Sequence, residues 1–180
     1  TLEHARQLAY YDPLTQLSNR VLFAELARRA IAAAQRSQAS LALVAIDLDH
    51  FKTVNDVHGH GTGDTVLQIA ARRMADAIRH SDVVARYGGD EFMVLLDGAG
   101  PAAAETVANS LVAVLSEPYP GVSPKVGASA GIAVFPHSGT SLEELISRAD
   151  AALYAAKSRG RNQAVLDPDA KDHALERSLF

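Results

Sequence analysis

The chain has 180 residues, 48% of them hydrophobic, which is enough for one domain with its own core. Its net charge of −4 mixes both signs, so no basic stripe for nucleic acid and no acidic disordered tail stands out. Without cysteine there is no disulfide framework and no thiolate metal site, and no apolar run approaches the roughly 20 residues of a membrane span.

Residues 1–11 place Leu2, Ala5, Leu8 and Ala9 at helical spacing. This short run reads as the end of a helix entering from an upstream domain, and the N-terminus, with no signal-peptide pattern and no initiator methionine, reads as that of a domain cut from a longer protein. Asp12-Pro13-Leu14-Thr15 through Asn19-Arg20 is a turn with capping residues. A helix over about 20–38 follows, with Val21, Leu22, Leu26, Ala30 and Ile31 on its apolar side.

Leu41–Leu48 is almost continuously apolar, the pattern of a central strand covered on both faces. Asp47 and Asp49 stand at its C-terminal end, where α/β sheets place their chemistry. A short helix is expected over 50–56. A glycine-rich loop over 58–64 then leads to a helix over 62–79, with Val66, Leu67, Ile69, Ala70 and Met74 inward.

Two β-prone runs, 83–85 and 92–96, flank Gly88-Gly89 and predict a hairpin. Asp90 and Glu91 follow the glycines directly, a density of negative charge on open backbone that suits a divalent cation and an approaching phosphate. Beyond it the pattern predicts a helix over 102–115, a break at 118–121 and a strand of small residues over 125–134. A capped helix from Ser141 to Ser158 and a strand over 163–166 complete the domain. Residues 168–180, with Ala174, Leu175, Leu179 and Phe180, read as a helical connector. Mixed strands and helices around an antiparallel hairpin argue an α+β fold, an α/β sandwich with a central mixed β-sheet flanked by helices. His58 and His60 have no partners at zinc-ligand spacing.

Six segments, in order, resemble the GGDEF family of diguanylate cyclases. They are Asp12-Pro13-Leu14-Thr15 with Asn19-Arg20; Asp47-Leu48-Asp49-His50-Phe51-Lys52 with Asn55-Asp56; Gly59-His60 with Gly63-Asp64; Gly88-Gly89-Asp90-Glu91-Phe92; Ser129-Ala130-Gly131; and Ala149-Asp150 through Lys157 and Arg161-Asn162. The resemblance covers about 12–166, within a domain of residues 12–167. It implies a palm-like fold, as in class III nucleotidyl cyclases, and condensation of two GTP into cyclic di-GMP with release of pyrophosphate.

By that resemblance Asp47, Glu91 and the Leu48 carbonyl hold two Mg²⁺ (or Mn²⁺), and Asp90 helps deprotonate the attacking 3′-OH. Asp49 orients the turn. Asn55 and Asp64 read guanine, since a carboxylate can accept from both donors on that base's edge. Phe51, Lys52, Gly88, Gly89, Lys157 and Arg161 surround the nucleotide. Arg79 and Asp82 form an inhibitory product site, against the simpler reading of a salt-bridged strand start. The family further implies a homodimer for catalysis, a cytoplasmic setting, an upstream sensor domain and, from the connector, a downstream phosphodiesterase domain. The rival expectation is a non-catalytic GTP or cyclic di-GMP sensor, and an ATP-using palm cyclase is disfavoured by Asn55 with Asp64.

Overall fold

In the computed structural model, residues 1–171 are described. The elements are α1 (Leu2–Tyr10), α2 (Arg20–Ser37), β1 (Leu41–Asp49), α3 (Phe51–His58), α4 (His60–Ala77), β2 (Val83–Gly88), β3 (Glu91–Asp97), α5 (Pro101–Leu115), β4 (Gly127–Phe135), α6 (Leu142–Ser158) and β5 (Ala164–Leu166). Residues 168–171 begin a helical turn, and the remainder of the expected connector lies outside the described residues.

The strands form one mixed sheet in the order β2-β3-β1-β4-β5. β1 runs antiparallel to both neighbours, β3 and β4, whereas β5 joins β4 in parallel. All nine residues of β1 are buried, which explains its unbroken apolar run. Alternation along the strand divides it between two cores. Ala42, Val44, Ile46 and Leu48 pack with α3, α4 and α5, while Leu41, Leu43 and Ala45 pack with α2 and α6. Each buried Leu or Ile there contributes roughly 1.5–3 kcal/mol relative to exposure.

Three expectations need correction. On α2 the buried stripe is Phe23, Ala27, Ile31 and Ala34, a strict helical repeat, while Val21 is exposed and Leu22 and Leu26 only half-buried. The segment expected as a glycine-rich loop is the junction of two helices, α4 beginning already at His60. The small-residue strand spans Gly127–Phe135 rather than 125–134. Its glycine has a packing reason: a Cβ on Gly131 would lie 2.1 Å from the Ala149 carbonyl oxygen and 2.2 Å from the Leu153 amide. Only a glycine lets α6 lie this close to the sheet.

No helix among the described residues is long and apolar enough to cross a membrane. α1 buries none of its residues and leaves Leu2 and Leu8 exposed.

Candidate functional site

The end of β1 and the β2–β3 hairpin meet because β1 pairs with β3 up to the register Asp47↔Glu91. Directly opposed residues of an antiparallel pair project from the same face, so the two acids share the side covered by α2 and α6. Gly89 and Asp90 make the turn, with φ of 50° at Gly89. The Leu48 amide donates to the Asp90 carbonyl at 3.3 Å. The Leu48 side chain is in the core, so only its backbone is available to a ligand.

Asp47 is buried and paired with Lys157 of α6, whose ammonium donates to Asp47 Oδ2. Burial first, then the charge of Asp47, pushes the Asp90 carboxyl above its ordinary value. Glu91 is raised by burial, then by Asp47, Asp90 and Asp150. Asp150, on α6, is raised by burial and then by Asp47. The charge of Asp47 thus opposes the ionisation of three neighbouring carboxyls, Asp90 and Glu91 of the hairpin and Asp150 of α6. No group of three or more acidic or histidine side chains among the described residues is arranged to hold a metal by itself.

The second acid of the Asp-x-Asp pair has another role. Asp49 accepts from Ser129 Oγ at 2.7 Å and from the Asn162 amide at 2.9 Å, and Arg161 lies 3.9 Å away. It anchors the turn leaving α6. Lys157 and Arg161 do both reach the end of β1, each to its own aspartate, but not by helical spacing. α6 ends at Ser158, and Arg161 has a left-handed φ of 66°.

On the other face, α3 and α4 form the nucleotide-reading candidates. A Cβ on Gly63 would stand 1.9 Å from Asn55 Oδ1 and 3.3 Å from the Phe51 ring. The absent side chain lets Asn55 pack against the residue preceding Asp64, with Phe51 beneath. Asp64 and Lys52 are exposed.

Arg79 and Asp82 join to each other. Asp82 is buried and accepts from Arg79 Nη2 at 3.1 Å, from the Arg79 amide at 3.0 Å and from the Asp97 amide at 3.0 Å. In this state the pair is the salt-bridged strand start, with the Asp82 carboxylate filled by the chain's own donors. The Arg79 side chain stays 64% exposed and borders a groove with Tyr11, Leu22, Leu26 and His80.

Sequence reasoning missed two features. A cavity of about 390 Å³ opens beside Asp47, Glu91 and Lys157, walled by Arg20, Tyr87, Ile146, Asp150 and Tyr154. Ile146, Asp150, Tyr154 and Lys157 follow the helical repeat of α6, a signal available in the sequence. The second is a clamp on the hairpin. Arg86 Nε donates to the Gly89 carbonyl at 3.0 Å, and its Nη1 meets Asp12 at 3.2 and 3.3 Å. Tyr87, at the bulge of β2, sets its ring edge-on to Phe23 and under the Arg20 guanidinium, 4.4 Å from the ring centre.

Residues 9–163 match the family described as diguanylate cyclase, GGDEF domain. The chain is 44% identical over 159 residues to MucR of Pseudomonas aeruginosa, a protein named as a bifunctional diguanylate cyclase and cyclic di-GMP phosphodiesterase. The match covers 87% of this chain but 23% of that protein, so the chain spans about a quarter of this relative. Among solved structures it is similar to the GGDEF domain of TpbB (YfiN) from Pseudomonas aeruginosa, with a TM-score of 0.84 and 36% identity over 93% of this chain and 99% of that one. The coiled coil and GGDEF domain of DgcB from Caulobacter crescentus, in complex with cyclic di-GMP, gives a TM-score of 0.84 and 31% identity, covering 92% and 89%. With the acids of β1 and the hairpin brought to one place on a five-stranded sheet of this shape, the chain belongs to the GGDEF family of diguanylate cyclase domains.

Proposed function

We propose that this domain condenses two GTP into cyclic di-GMP, each of two facing chains presenting one nucleotide. The observation carrying this reading is the crowding of Asp47, Asp90, Glu91 and Asp150 around one lysine at the end of β1. Mutually opposed carboxylates at a cleft are a signature of a site awaiting cationic charge.

Asn55 and Asp64 hold the guanine edge, with Phe51 packed below. Lys52, Lys157 and Arg161 meet the phosphates, and Gly88 and Gly89 leave the backbone open to them. Asp47, Glu91 and the Leu48 carbonyl would hold Mg²⁺, a fit supported by two carboxylates, the usual protein share for an ion that takes its other oxygens from phosphate and water. Bound with the nucleotide, the metal would neutralise triphosphate charge and acidify the attacking hydroxyl.

The 3′-oxygen of one nucleotide attacks the α-phosphorus of the other. Its bond to the bridging oxygen of the β-phosphate breaks, and pyrophosphate leaves. Asp90, whose carboxyl is raised by burial and by Asp47, is suited to take the hydroxyl proton. Two such transfers close the ring.

Arg79, held by Asp82 and open to solvent, would clamp a phosphate of the accumulated product, in keeping with the cyclic di-GMP held by the DgcB structure. The bifunctional relative supports a place for this domain within a longer signalling protein. Incubating the concentrated protein with GTP and Mg²⁺ tests the reading. The expected results are cyclic di-GMP from wild type, none from Glu91→Ala, and a higher final yield from Arg79→Ala. GTP binding without product, even in a chain fused to a dimerising helix, would instead favour a sensor.

A further inference from the structure

We infer that Lys157 is a built-in counter-cation that guards Asp47, so that metal is taken up with the nucleotide and not ahead of it. This rests on the reading of Asp47 as a metal-holding acid.

The Lys157 ammonium sits on Asp47 Oδ2, and no other side chain donates to that carboxylate among the described residues. Asp47 is buried, whereas the Lys157 side chain is 33% exposed and has room to leave. Gly131 seats α6 closely against β4, and a swing of the lysine side chain alone frees the carboxylate without any shift of α6. A second station is at hand. Asp150 lies on the same face of α6, walls the same cavity, has a side chain with no hydrogen bond or ion pair among the described residues, and feels the charges of both Asp47 and Lys157.

A divalent ion approaching the nucleotide-free site must compete with an ammonium already on the oxygen it needs. Triphosphate changes that balance. Its oxygens accept Lys157, Asp47 is released, and the carboxylate becomes free as the phosphate ligands arrive. Metal and nucleotide affinities are therefore coupled through one side chain, and by linkage each strengthens the other. A free cation gains no foothold that would hold the acids in an unproductive state.

The test measures Mn²⁺ binding by the loss of the free-ion electron paramagnetic resonance signal, with Mn²⁺ alone and with Mn²⁺ plus α,β-methylene GTP. Lys157→Met should bind Mn²⁺ alone about tenfold tighter than wild type, because a neighbouring positive charge is gone. Lys157→Arg should restore the weak wild-type value. Lys157→Gln repeats the measurement with a neutral polar side chain, and thermal melts check the fold of each. Equal or weaker Mn²⁺ binding by Lys157→Met and Lys157→Gln overturns the inference, while the metal assignment survives if Asp47→Asn abolishes Mn²⁺ uptake in the presence of the analogue. If wild type with analogue takes up no Mn²⁺, or Asp47→Asn changes nothing, the metal assignment falls, and the inference with it.

Discussion

Asp47 and Glu91 illustrate how little a residue's identity says without its neighbours. Either acid alone would be a strand-end carboxylate. Opposed across β1 and β3, with Asp90 in the adjoining turn, they form a candidate site. Glu91→Gln keeps the size and removes the charge, so cyclic di-GMP formation should be lost while the melting temperature stays level or rises. Retained activity would remove Glu91 from the metal-holding set. Gly63 makes a second residue-scale case. In Gly63→Ala the new methyl group would collide with Asn55 Oδ1, so Asn55 must swing away. Stability should change by about 1 kcal/mol or less, because a side-chain end yields easily and alanine suits the helix better than glycine, while calorimetry should show GTP affinity lost. Unchanged affinity would mean that Asn55 does not read the base.

At the scale of elements, the hairpin is held from outside its own strands. Arg86 ties the Gly89 carbonyl to Asp12, and the Arg86 amide donates to the Ser18 carbonyl at 3.0 Å. Burial alone would raise the Asp12 carboxyl; the hydrogen bonds from Thr15 and the charge of Arg86 outweigh it and hold Asp12 below its ordinary value of 3.8. A carboxyl depressed in the folded state contributes stability above its unfolded pKa and loses it as pH falls through the folded value. The stability advantage of wild type over Asp12→Asn, measured by urea unfolding, should therefore shrink as pH is lowered from about 5 to about 3. A constant difference would show that the ion pair adds nothing. The seat of α6 on β4 is equally specific: Gly131→Val should fail to fold or lose several kcal/mol by overpacking against the α6 backbone, and a melt near wild type would show that α6 can move.

Local pattern made some elements readable and tertiary contact hid others. β1 was legible to within one residue because both of its faces are covered, which leaves an apolar run no helix-period pattern imitates. The junction of α3 and α4 was not. Its glycines look like a loop, and the reason for Gly63 is a neighbour eight residues back. The apolar stripe of α2 was displaced for a similar reason, since the sheet chooses Phe23 and Ala27 over Val21. The candidate acids were picked out by their motifs and the sheet register brings them together, but Lys157 on Asp47, 110 residues apart, and Arg86 on Asp12, 74 apart, have no local sequence signal.

Across the whole molecule, the proposed site draws on both faces of the sheet at its β1 end. The acids and Lys157 lie toward α2 and α6; Asn55, Asp64 and Phe51 lie on α3 and α4, which cover the other face. On the proposed reading, a nucleotide gripped on one side would present its phosphates at the edge of the other, open to a second chain. The dependence of the initial rate of cyclic di-GMP formation on protein concentration tests this arrangement most directly, at saturating GTP and Mg²⁺. A rate rising with the square of wild-type concentration while chains are mostly unpaired, and no product from Glu91→Gln at any concentration, is the predicted result. A rate linear in protein down to the lowest dilution, or product from Glu91→Gln, would contradict it.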